Sequence, residues 1–151
     1  MRLRITFTKT DEMRFTGHLD LHRTWERIFR RAGLPLAYSQ GFHPQPRINL
    51  ASALPLGFTS EAELVDVWLE ETLPLEQIWD ALKTALPPGL SLIDIQEADL
   101  RAPSLQTQVV ASEYIVTLLD PVDHLDEHLA EVIIASSLPR DRRGKKYDRV
   151  H

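Results

Sequence analysis

The chain has 151 residues, room for one well-buried core or for a complete small domain plus part of another. It contains no cysteine, which excludes disulfide frameworks, thiolate zinc sites, cysteine nucleophiles and any iron–sulfur cluster ligated by this chain's thiolates. The formal net charge of -5 is unevenly spread: residues 1–47 carry nine Lys or Arg against four acids, whereas residues 48–101 carry two against ten, so a basic and an acidic face are expected.

Arg2–Thr8 alternates strictly, with Leu3, Ile5 and Phe7 on one side and Arg2, Arg4, Thr6 and Thr8 on the other, the pattern of a strand covered on one face. Leu21, Trp25, Ile28 and Ala32, widened by Phe29, form the stripe of an amphipathic helix. Thr16 and Gly17 start it, Asp20 lies in its first turn, Arg30 and Arg31 in its last, and Gly33 and Pro35 stop it. Leu34–Ser39 reads as the second strand. Gly41, Pro44 and Pro46 then punctuate a loop carrying Gln40, Phe42, His43, Gln45 and Arg47, side chains that bind or stack and are costly to bury unpaired. Ile48–Leu54 is expected to be extended, residues 57–60 to turn, and Glu63–Glu70 to form the third strand.

Pro74 opens a second helix with Leu75, Ile78, Trp79, Leu82 and Leu86 as its apolar stripe, closed by Pro87, Pro88 and Gly89. Ser91–Glu97 follows as a strand with Ile93 and Ile95 inward. The order strand, helix, strand, strand, helix, strand, with right-handed crossovers, closes most simply as an α+β, ferredoxin-like βαββαβ sandwich over residues 1–99. Its expected core joins Leu3, Ile5, Phe7, Leu21, Trp25, Ile28, Val65, Val67, Ile78, Leu82, Ile93 and Ile95.

Residues 100–112 read as a linker. Beyond them a second, incomplete strand-helix unit begins at residue 113, with Tyr114–Leu119 as strand and Val122–Ile134 as helix, and ends in a basic tail from Arg140 to Arg149. HLDLH at His18–His22 and HLDEH at His124–His128 echo each other, each a short distance after an expected strand.

His18 and His22 have the four-residue spacing that can bring two imidazoles to one metal, but the accompanying carboxylate of an H-E-x-x-H helix is absent and both fall at or inside the apolar stripe. They are read as packed or capping histidines, and neither a bound metal nor a cofactor is expected. Ser39 and Ser52 lie in no nucleophile elbow, and the six glycines form no phosphate-binding pattern. Intrinsic catalysis is therefore not the expectation, and no catalytic residue is assigned. The expected binding surface is a cleft lined by Gln40, Phe42, His43, Gln45 and Arg47 against the helix of His18 and His22, with Arg14 beside it. Base stacking on the open sheet face is disfavoured, because the first strand offers Arg4 in place of an aromatic and Asp66 and Glu70 flank Trp68. A second RNA surface would combine Arg14, Arg23, Arg27, Arg30, Arg31 and Arg47 with Phe42 and His43.

The runs RLRITFTK, GHLDL, RRAGLPLAYSQGFHPQP and LPLGFTSEAE, followed by LPPGLSL, resemble the bacterial radical-SAM-linked protein family, a domain of unknown function, over roughly residues 2–145. The resemblance implies a radical SAM protein as partner, with RNA processing as an alternative context. The expected role is an accessory or substrate-presenting module, and the alternative an RNA-binding or RNA-processing protein. No apolar stretch approaches the roughly 20 residues of a membrane span, so a cytoplasmic protein without a membrane partner is expected.

Overall fold

A computed structural model describes residues 1–139. Four strands and two long helices form the body of the first compact unit, Met1–Ser112. They are β1 (Arg2–Lys9), α1 (His18–Arg31), β2 (Ile48–Leu50), β3 (Ser60–Trp68), α2 (Leu75–Ala85) and β4 (Leu90–Ala98). The sheet order is β2-β3-β1-β4 with every neighbouring pair antiparallel, the arrangement expected of a ferredoxin-like sandwich.

The inner face of β1 carries Leu3, Ile5 and Phe7, opposite Val67, Val65 and Glu63 of β3. Helix α1 lays Leu21, Trp25, Ile28 and Phe29 on that face, and α2 adds Ile78, Leu82 and Ala85. Trp25 is fully buried and packs edge-on against Phe7, with ring centroids 4.7 Å apart. The end of α1 shows why the sequence stops there. Gly33 takes φ 68°, its N–H reaches the Arg30 carbonyl, and the Leu34 N–H reaches back to Phe29, which satisfies two carbonyls of the last turn while Leu34 packs into the core.

Three expectations change. The second strand is Ile48–Leu50 and not Leu34–Ser39, which makes only isolated bridges, Leu36 to Leu69 and Tyr38 to Pro46. The chain touches β3 at Leu36, leaves as a hairpin, and rejoins it at Ile48, so the edge strand is interrupted by the Pro-rich loop. Ile93 lies outside the core: β4 bulges between Asp94, opposite Thr6, and Leu92, opposite Phe7, and the extra residue turns its side chain outward. Residues 100–112 do not run free as a linker. They cross the outer sheet face, with Leu105 of α3 (Leu105–Gln108) buried and the Arg2 guanidinium donating to the carbonyls of Asp99, Ala102 and Pro103.

In the second unit, described as far as residue 139, residues 114–119 form no strand. Helix α4 (Leu125–Ile134) buries none of its residues. Its HLDEH run occupies the helix start, as HLDLH does in α1, with His124 as cap. The basic tail from Arg140 to Arg149 lies outside the described residues. Among the described residues, no helix is long and apolar enough to cross a membrane.

Candidate functional site

Two loops and two strand ends meet at the start of α1. The alternation of β1 puts Lys9 on the same face as Leu3, Ile5 and Phe7, and that of β3 puts Glu63 in line with Val65 and Val67. Both polar side chains are therefore forced under the helix layer, where Lys9 is 1% and Glu63 9% exposed. The Lys9 ammonium donates to the carbonyls of Phe58 at 3.1 Å and Arg14 at 3.4 Å. Arg14 also grips the second loop: its Nε donates to the Gly57 carbonyl at 2.8 Å, and the Gly57 N–H returns to the Arg14 carbonyl at 3.0 Å.

Burial pushes the Glu63 carboxyl above its ordinary value, opposed by a Ser60 hydroxyl and by the charges of Lys9 and His18. Burial pushes the Lys9 ammonium down, with Glu63 opposing. His18 is half-buried, and its Nδ1 has no hydrogen-bond partner among the described residues. On the same two loops and the first turn of α1, Phe15, Leu19, Leu56 and Phe58 are 75%, 72%, 64% and 43% exposed. The Arg14–Gly57 bonds fix the stretches carrying Phe15, Leu56 and Phe58 side by side, and Leu19 lies in the first turn of α1. No nucleophile is paired with a base here. The arrangement sets a buried ammonium and carboxyl beside a group of exposed apolar side chains.

The loop read as a binding segment is a hairpin on the sheet edge. The Ser39 N–H donates to the Gln45 carbonyl at 2.8 Å, and the Gln45 N–H to the Ser39 hydroxyl at 3.0 Å, while Pro46 is buried at its base. Gln40, Phe42, His43 and Gln45 are exposed, Phe42 completely. The exposed Arg47 leaves this group: its guanidinium lies 4.7 Å from the centroid of Trp68, a ring that Arg2 also approaches at 4.8 Å. The strand ladder keeps the hairpin apart from His18. Arg47 bonds to Trp68, five residues along β3 from Glu63, a separation of about 16 Å at about 3.3 Å per residue. His18 and Arg14 thus join Lys9 and Glu63, half-buried His22 stays on α1, and the hairpin forms a second surface.

Lys9, Glu63, Phe15, Leu19, Leu56 and Phe58 were not among the expected site residues. The signal for the first two was present, because the periods of β1 and β3 carry both onto the core face. The apolar side chains needed the contact between loops. Among the described residues, no group of three or more His, Asp or Glu side chains is placed to hold a metal ion.

The family model described as uncharacterized protein conserved in bacteria (DUF2344) matches residues 2–150, almost the entire chain. No curated protein matches it.

Proposed function

The chain belongs to the bacterial DUF2344 family, and from that premise we propose that it is an accessory, substrate-presenting module that docks on a radical SAM protein. The observation that carries this reading is the rim of Phe15, Leu19, Leu56 and Phe58, large apolar side chains exposed on a braced pair of loops and the first turn of α1. Such side chains, fixed before contact, lose little conformational entropy on docking. The hairpin tip, with Phe42 and His43, supplies a second contact. The radical SAM identity of the partner comes from the resemblance of the GHLDL, GFHPQP and LPLGFTSEAE runs. The lack of cysteine agrees with it, since the cluster's thiolate ligands must come from the partner.

The arginines favour this reading over RNA. Arg14 is bonded to Gly57, Arg23 and Arg30 are paired with Asp20 at 3.6 Å and Glu26 at 2.8 Å, Arg31 reaches the Ala85 carbonyl, and Arg47 stacks on Trp68. Five of the six arginines of the expected cationic surface thus have a partner within the fold, although the exposed Arg23 and Arg30 pairs are individually weak. Affinity capture of the intact chain from its native cytoplasm under anaerobic conditions tests the proposal. An iron–sulfur protein should copurify with the parent and be lost with the pair Phe15→Ser and Leu19→Ser. Retention of RNA instead, released by salt, would replace this reading with the alternative.

A further inference from the structure

The edge of the sheet opposite the hairpin has its own groove. Among the described residues, strand β4 pairs with β1 on one side only. Beside it, Trp79 of α2 stands between two concave stretches. One, of ≈ 360 Å³, is lined by Leu75, Glu76, Trp79, Asp80, Asp94 and Ile95. The other, of ≈ 400 Å³, continues past Lys83 and Leu86 to Leu90 and Leu92. The bulged Ile93, 47% exposed, adds an apolar side chain at the same edge.

Edge strands usually guard their open N–H and C=O groups with lysine, proline or a bulge. Leu90–Ala98 has the bulge but neither lysine nor proline, and its charged residues are Asp94 and Glu97. Glu76 and Asp80 across the groove join Asp94, so three carboxylates line one stretch, against Lys83 in the other. This guard repels acidic strands and the acidic edge of a second copy, but it leaves the edge open to a basic one.

We infer that the β4–α2 groove binds an extended segment of a partner protein, one that adds as a strand to β4, places apolar side chains around Trp79, and sets Lys or Arg residues against Glu76, Asp80 and Asp94. Backbone hydrogen bonds to the open edge supply affinity, the grooves beside Trp79 select alternate apolar side chains, and the carboxylates select charge. This surface is separate from the rim around Phe15 and does not depend on it.

Selection of a random nine-residue peptide library on the full chain tests the inference. Enriched sequences should alternate apolar residues and carry Lys or Arg, and their binding should slow amide exchange in residues 91–97. The exposed pair Glu76→Lys and Asp80→Lys, checked for an unchanged circular dichroism spectrum, should weaken the selected peptides at least tenfold and shift a repeated selection toward acidic sequences. N-methylation of alternate peptide amides should abolish binding. The absence of enriched sequences, or peptides indifferent to both the charge reversal and N-methylation, would overturn it. Concentration-dependent dimerisation that protects residues 91–97 in the peptide's place would assign the edge to a second copy and overturn it equally.

Discussion

Glu63 occupies a position that β-strand alternation reserves for an apolar side chain, directly opposite Phe7. Its carboxyl is raised above its ordinary value of 4.5, chiefly by burial. Between that value and the raised one, the folded chain holds the proton more tightly than the unfolded chain does. This contribution to stability is therefore present at low pH and lost as pH rises through the folded value. Glu63→Gln should accordingly be more stable than the parent at pH 7, with the difference shrinking as pH falls toward 4.5; urea midpoints across that range check it. Asp66, fully buried on the outer face, shows the opposite design. It accepts from Arg2 Nε and Nη2 at 2.9 and 2.6 Å and from Arg4 Nε and Nη2 at 2.9 and 3.0 Å. Asp66→Asn would leave a buried guanidinium uncompensated and should destabilise by about 3–5 kcal/mol in denaturant unfolding. Trp25→Ala, which empties the centre of the core, should cost about 3–5 kcal/mol by the same measurement.

At the scale of elements, the legible parts are those whose period spans their whole length. Helix α1 follows from Leu21, Trp25, Ile28 and Phe29 and from its Gly33 stop, and β1 and β3 follow from strict alternation. The second strand was not legible because Leu34–Ser39 has strand character while its partner groups on β3 are divided between Pro35–Ala37 and Arg47–Leu50. Nor was the outward turn of Ile93, which a one-residue bulge decides through long-range pairing with Thr6 and Phe7. The hairpin between the two contacts is braced only by short local bonds and the buried Pro46. Phe42→Ala with His43→Ala should therefore leave the unfolding midpoint within about 0.5 kcal/mol of the parent, as exposed substitutions do. Loss of the copurifying partner in this double variant would then report on recognition alone.

Across the first unit, two surfaces differ in chemistry. The loops and helix start carrying Phe15, Leu19, Leu56 and Phe58 set exposed apolar side chains near a buried ammonium and carboxyl. The acid-rich stretch from Glu76 to Glu97 borders the β4 edge. The positions of Phe15, Leu19, Leu56 and Phe58 on one rim could not be drawn from spacing, because Arg14 and Gly57 lie 43 positions apart and meet only once the chain has folded back. That rim is the proposed docking surface, and in-cell photocrosslinking tests it. A photoreactive phenylalanine analogue would replace Leu19 in the native bacterium, with the exposed Glu71 position as control. A crosslink from position 19 to a radical SAM protein and none from position 71 is the expected result. Crosslinking to RNA from position 19, or no adduct there beyond that at position 71, would contradict it.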